Sequence, residues 1–182
     1  ELKRVVVTGI GAVTPVGLSA EETWKNLLAG VSGAAPITNF DASKFKTQFA
    51  CELKNFNPGD FFDAKAARKM DPYCQFAVAA AVMAMKDCGM DFENTDTDNM
   101  GVVLGVGIGG MKTFEDEQDG WVKTGQTLGP KFGPFFIPKM IADISAGHIS
   151  MMYGLRGPNY ITSSACASSG SAISDAFNLI RL

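Results

Sequence analysis

A chain of 182 residues with 46% hydrophobic and 19% charged residues can bury the core of one ordinary domain and is too apolar for intrinsic disorder. A net charge of -3 and a pI near 5.1 exclude a global pull toward nucleic acid or an anionic membrane. No apolar run reaches the roughly 18 residues of a membrane span, and "ELKRVVVTG" enters a strand pattern with no signal-peptide pattern before it, so a soluble, cytoplasmic protein is expected.

In chain order, "RVVVTGI" (4–10) reads as a short continuous apolar strand ending in a Gly turn, the pattern of a strand buried on both faces. "SAEETWKNLLAG" follows as a helix, with Ser19 and Glu22 as a capping box and Gly30 as its stop. "DPYCQFAVAAAVMAMKDCG" is the clearest helix, with Asp71 as N-cap, Pro72 at the first helical position and Gly89 at the end. Its low polarity predicts burial on more than one side.

"MGVVLGVGIGG" reads as a second buried strand running into a glycine loop. The segment 112–138 lacks clean periodicity, and its "FGPFFIP" is too apolar for a linker, so an excursion packed on another surface is expected. A third helix is predicted over "PKMIADISAGHISMMYG", interrupted at Gly147, and a third strand over "NYITSS". The final helix, from about Ser168 through "SAISDAFNLIRL", has no terminal cap, which reads as a fragment of a longer protein. Alternating strands and helices predict an α/β fold with largely parallel strands.

Four cysteines, Cys51, Cys74, Cys88 and Cys166, form no CxxC pair, and with His148 as the one histidine no metal cluster is expected. Cys166 stands apart, because it lies in a run of small residues from Thr162 to Ala172 at a predicted strand-to-helix turn. Such a turn projects a nucleophile above a sheet edge. Orphan N–H groups and the positive end of the helix dipole there favour a thiolate, and the Cys166 N–H could face an oxyanion. A small buried structural cysteine is the competing reading, and the residues alone leave both open.

"GPNYITSSACASSG" resembles the nucleophile motif of the β-ketoacyl-acyl carrier protein synthases, elongating condensing enzymes of the thiolase superfamily. "RVVVTGIGAVTPVG", "RKMDPY", "GVGIGGM", "GPFFIP" and "AGHISMMYGLRGP" agree in order and spacing, so the resemblance covers essentially the whole chain and is type II-like. It implies a thiolase-like, layered α/β/α/β/α architecture, with residues 1–182 forming most of its N-terminal half as one truncated domain. Ser164 stands where the family often has Thr, and Cys166 argues against the chain-length-factor relatives, which lack that nucleophile.

The implied chemistry is acyl transfer from the phosphopantetheine thioester of an acyl carrier protein to Cys166, then a decarboxylative Claisen condensation with malonyl-carrier protein. Two histidines and a lysine assist that second half in the family, and His148, in "AGH", lies in neither histidine motif. It reads as a hydrogen-bonded structural histidine. These 182 residues alone are therefore expected not to condense.

The resemblance also makes Ile108, Phe135 and Phe136 candidate acyl-pocket residues, the two phenylalanines packing at a homodimer interface near the partner's pocket. Lys65, Arg68 and Lys69, at i, i+3 and i+4, share one face if the segment is helical. Alone they read as a solvated face; the resemblance makes them a docking site for acidic carrier protein, with Lys131 a weaker addition. Gly105, Gly107 and Gly110 fit G-x-G-x-x-G, but no convincing second strand with a ribose-binding acid follows, so nucleotide binding is set aside. No bound cofactor is expected. The alternatives are a cysteine thioesterase or hydrolase with the same elbow, disfavoured because such enzymes favour G-x-nucleophile-x-G whereas Ser164 and Ser168 flank Ala165 and Ala167 here, and a non-catalytic carrier-binding fragment.

Overall fold

The computed structural model describes residues 2–92, 94–127, 129 and 132–182. Its helices are α1 (Ala20–Leu28), α2 (Ala64–Ala67), α3 (Pro72–Asp87), α4 (Met111–Lys123), α5 (Phe136–Met140), α6 (Ile144–Tyr153) and α7 (Ser168–Arg181). Short strands β1 (Ala35–Pro36) and β2 (Phe49–Ala50) pair antiparallel, and β3 (Val102–Gly105) and β4 (Asn159–Thr162) pair parallel.

The β3–β4 pair is the centre of the molecule. Its register sets Val102 beside Asn159 and Gly105 beside Thr162, so both strands end at the same edge. Side chains alternate with the period of two that a pleated strand imposes. Val102, Leu104 and Ile161 face the core formed with Met70, Cys74, Val78, Ala146, Ile149 and Leu155, which come from α3, α6 and their flanks. The opposite side meets α7: Thr162 Oγ1 donates to the Ser168 carbonyl at 2.9 Å, and Tyr160 Oη lies 3.5 Å from Asp175 Oδ2. The result is an α/β/α slab with α3 and α6 on one face and α7 on the other.

Sequence cues explain the helices on the first face. Asp71 Oδ1 accepts from the Tyr73 N–H at 3.2 Å as the α3 N-cap, and Gly89 takes a left-handed φ of 64° after its end. In α1, Ser19 Oγ accepts from the Glu22 N–H, and Glu22 Oε2 accepts in return from the Leu18 N–H. Gly154, at φ 64°, closes α6.

Three expectations are corrected. Residues 4–10 form no strand, and Val7 is 80% exposed. Among the described residues this stretch has one backbone bond, Ile10 N–H to Asp87 Oδ2, with Lys3 N–H donating to the Arg181 carbonyl just before it, so it has no ladder to join. The break in the third predicted helix falls between Met140 and Ile144, while Gly147 lies inside α6. Tyr73 Oη stabilises that break by donating to the Ile141 carbonyl at 2.6 Å.

The segment expected to be irregular contains the 13-residue helix α4. Asp71 caps that helix as well: Oδ2 accepts from the Thr113 N–H at 2.8 Å and from Thr113 Oγ1 at 2.7 Å. Exposed i,i+4 pairs, Lys112 with Asp116 and Lys123 with Asp119, lie along it. Gly110 at its N-cap position offers no capping side chain, so the sequence carries no local start signal for this helix. Among the described residues no helix is long and apolar enough to cross a membrane.

Candidate functional site

The C-terminal ends of β3 and β4 build the site. After Thr162 the chain turns through Ser163 and Ser164 into a single 3-10 turn, Ala165–Ala167, and then into α7. Cys166 is exposed in that turn, at the edge of the sheet and the start of a 14-residue helix. The strand, turn and helix predicted around it are therefore present, and within these 182 residues Cys166 is exposed.

The turn has a non-glycine residue in the left-handed region, Ala165 at φ 49°. Hydroxyls and backbone hold it there. Ser168 Oγ donates to the Ala165 carbonyl at 2.7 Å and accepts from the Ser164 N–H at 2.9 Å. The Ser168 N–H also reaches the Ala165 carbonyl, and the Ala167 N–H reaches that of Ser164 at 3.0 Å. Ser164 Oγ and Ser171 Oγ pair at 3.0 Å across the turn.

Small residues are required for the approach of β3 to α7. A Cβ on Gly105 would lie 2.3 Å from the Ser168 carbonyl carbon and the Ser169 nitrogen, closer than any side chain fits. The glycine loop after β3 is also shaped by packing. Gly109 adopts φ 114°, and a Cβ on Gly110 would meet the Lys139 carbonyl oxygen at 2.3 Å. The first turn of α4, where a dinucleotide phosphate would bind, already holds the Asp71 carboxylate. A phosphate at that helix start would have to displace this carboxylate from the Thr113 N–H.

Ile108 lies on this loop, 74% exposed, and lines a cleft of about 430 Å³ with Tyr73, Phe76, Ala77 and Leu104. Cys166 does not line this cleft, but the turn that carries it meets the same loop, where Ser163 Oγ donates to the Gly107 carbonyl at 3.5 Å. Phe135 and Phe136 do not line the cleft: Phe136 begins α5 and stacks on Phe132 at 4.6 Å, and Phe135 lies under the Lys69 ammonium at 5.4 Å. Burial raises the Tyr73 phenol above its ordinary range, with the charge of a deprotonated Cys74 adding to it. The buried Cys74 thiol is pushed up to about 12 by burial first and by Asp71 second, which makes it an inert structural cysteine.

The basic cluster is real, though its geometry differs from a continuous helical face. Lys65 lies in α2, capped by Asp63, whose Oδ1 accepts from the Lys65 N–H at 2.7 Å. Arg68 is the C-cap and Lys69 follows the helix, so the i,i+4 relation is not held by a helix. All three are exposed, and among the described residues no carboxylate forms a salt bridge with them. Lys131 lies outside the described residues. His148, on α6, has a lowered pKa because it is partly buried and the Lys69 charge opposes protonation.

Sequence reasoning passed over Ser168, Asp71 as a double cap, and Tyr73. Each acts across a distance in sequence or through a backbone carbonyl, and only the small-residue run hinted at the first of them.

Comparison with known proteins agrees with this geometry. The family model of the β-ketoacyl synthase N-terminal domain matches residues 2–182. Two relatives, each named 3-oxoacyl-[acyl-carrier-protein] synthase 2, are 42% identical. The one from Synechocystis sp. matches over 181 residues, 100% of this chain and 43% of its own length. The one from Staphylococcus aureus strain N315 matches over 180 residues, 98% and 42%. The chain thus spans under half the length of the curated relatives it matches.

Solved structures agree in fold. The ishigamide ketosynthase/chain length factor superposes with a TM-score of 0.79 at 27% identity, covering 98% of this chain and 45% of that one. A type II PKS acyl-carrier protein in complex with its ketosynthase bound to the hexaketide gives 0.81 at 25% identity, covering 100% and 48%. A β-ketoacyl synthase from Burkholderia phymatum gives 0.79 at 27%, covering 98% and 43%.

Proposed function

Because the chain belongs to the β-ketoacyl synthase family through its N-terminal domain, we propose that the protein containing it is a 3-oxoacyl-acyl carrier protein synthase of fatty-acid elongation, acting in the cytoplasm. The observation that carries this reading is the exposed Cys166 at the β4–α7 elbow, beside the loop that bears Ile108. The Cys166 sulfur attacks the acyl thioester, its bond to the acyl carbon forms, and the carbon–sulfur bond to phosphopantetheine breaks. During attack the Cys166 N–H donates to the developing oxyanion. The thiol of phosphopantetheine leaves with its carrier protein, and no resident cofactor takes part.

Ile108 borders the acyl chain, with Phe135 and Phe136 near it at the interface of a homodimer. Lys65, Arg68 and Lys69 dock the acidic carrier, each exposed and unpaired with a carboxylate among the described residues. Condensation needs decarboxylation of malonyl-carrier protein. The two histidine motifs and the lysine that the family uses for it have no counterpart in these 182 residues, and His148 is a half-buried residue of α6.

The test is to give acyl-carrier protein to the full-length protein and to its Cys166→Ala variant, then measure intact mass with and without malonyl-carrier protein. An acyl gain on Cys166, absent in the variant and extended on adding malonyl-carrier protein, is expected. No gain sinks the proposal. Gain followed by loss to water without extension favours a hydrolase.

A further inference from the structure

Resting on the reading of Cys166 as an acyl-accepting nucleophile, we infer that Ser168 is a positioning residue: its hydroxyl clamps the Ala165 carbonyl and so aims the Cys166 N–H at the oxyanion. The argument begins with the peptide bond. The Ala165 carbonyl and the Cys166 N–H belong to one planar unit, and no cis peptide occurs among the described residues. In a trans peptide the two bonds point in opposite directions. Whatever fixes the carbonyl therefore fixes the N–H.

Ser168 fixes the carbonyl twice, with its Oγ at 2.7 Å and with its own N–H. Both bonds draw the oxygen toward the start of α7, so the Cys166 N–H points away from Ser168. The same hydroxyl accepts from the Ser164 N–H at 2.9 Å, spanning the turn on both sides of Ala165. Ser168 is 3% exposed, so water does not replace these bonds readily. Its backbone is pressed by Gly105, where a Cβ would come within 2.3 Å, and its carbonyl accepts from Thr162 Oγ1. The hydroxyl thus works from a fixed base.

The strain at Ala165 says why a clamp is useful. An alanine at φ 49° costs roughly 1 kcal/mol relative to ordinary backbone. Without the Ser168 hydroxyl, the turn relaxes toward negative φ, the peptide plane rotates, and the N–H loses its aim. The sulfur stays exposed in either state. Ser168 touches no substrate, so its effect falls on the rate of acyl capture and leaves substrate binding alone.

The experiment uses the full-length protein, its Ser168→Ala variant and the double variant Ala165→Gly/Ser168→Ala. Acylation of Cys166 is timed by intact mass with two donors, acyl-carrier protein and p-nitrophenyl acetate. With the ester, the sulfur–carbon bond forms, the ester carbon–oxygen bond breaks, p-nitrophenolate leaves with the electron pair, and the thiol proton goes to buffer. Alkylation by iodoacetamide, which passes through no oxyanion, is timed in parallel.

Ser168→Ala is expected to slow acylation by about 10- to 100-fold at unchanged KM, while alkylation stays within about twofold. Because glycine adopts positive φ without strain, the double variant is expected to recover to within about fivefold of the parent. If Ser168→Ala does not fold, the double variant is compared with Ala165→Gly, and the hydroxyl's loss should then cost no more than about fivefold. Acylation by Ser168→Ala within twofold of the parent overturns the inference, as does an equal fall in alkylation or a double variant as slow as the single one.

The two ideas fail differently. A parent that takes acetyl from the ester and nothing from the carrier sinks the synthase reading, while a slow Ser168→Ala with the ester still supports the clamp. A parent whose Cys166 reacts with neither donor overturns both.

Discussion

Two stretches of this chain are nearly the same peptide and have opposite fates. "RVVVTGI" at 4–10 and "GVVLGV" at 101–106 are both short, β-branched and closed by glycine. The second becomes β3, hydrogen-bonded in parallel register to β4, with Val102 only 7% exposed. The first has no ladder among the described residues, and Val7 is 80% exposed. Apolar, β-branched sequence is permission for a strand; a partner at the right register and cover on both faces make one. The elbow that carries Cys166 exists because β3 and β4 satisfy those conditions together.

The largest expected effect comes from breaking the close approach that fixes the elbow to β3. Gly105→Ala places a Cβ against backbone atoms of Ser168 and Ser169, which cannot swing aside as a side chain would. A loss of about 3 kcal/mol in chemical denaturation is expected, together with loss of acyl capture by Cys166. Glycine-to-alanine at Gly9 tests the other stretch. There a Cβ would also crowd backbone, at 2.3 Å from the Ala84 carbonyl, but the segment has no ladder to lose and can lift away. A smaller loss, about 1 kcal/mol, is expected, and equal losses at the two glycines would break the comparison.

Next in size is Asp71→Ala. The carboxylate is buried and accepts three hydrogen bonds, one from α3 and two from Thr113 of α4. Its removal leaves N–H groups of two helices without their cap and is expected to cost about 2–3 kcal/mol. Urea denaturation measures this. Thr113→Val, which removes one of the three bonds, should cost about 1 kcal/mol.

Smaller still is the direct contrast between the two strand-like stretches. Val102→Ala removes buried methyl groups from the core and is expected to cost about 2 kcal/mol. Val7→Ala is expected to change stability by less than about 0.5 kcal/mol. Amide exchange should show the same order, with Val102 to Gly105 protected and Val5 to Val7 exchanging fast. Protection at 4–10 equal to that of β3 would break the comparison.

These contrasts also show how far the sequence could be read. The helices α1 and α3 were legible because their caps, Ser19 with Glu22 and Asp71 with Pro72, lie within a turn of the residues they serve. Helix α4 was not, because its cap comes from Asp71, 42 residues away. The Cys166 turn was visible as a run of small residues, yet what those residues do was hidden. Gly105 is small because of Ser168, and Ser168 is polar because of a carbonyl at Ala165, and only the fold brings these together. The 4–10 misreading has the same origin: local pattern stated a preference, and pairing, which is nonlocal, decided.

The slab should also answer to pH, and the two ends of the scale act through different residues of the same layer. Cys74 on α3 holds its proton up to about 12 because burial and the Asp71 charge oppose the thiolate. The unfolded thiol ionises near 9, so the contribution is complete below pH 9 and lost as pH climbs toward 12. His148 on α6 works in the other direction. Burial, and then the Lys69 charge, lower its pKa from 6.5, so the unfolded chain takes the proton more readily. The stability that neutral His148 allows is present above pH 6.5 and declines as pH falls through that value and below. Lys69→Met removes the second cause and leaves the first, so the His148 titration followed by NMR should move only part of the way back toward 6.5. This is the smallest change foreseen here, and an unmoved titration would mean that the Lys69 ammonium, over the Phe135 ring, is too well solvated to be felt by α6.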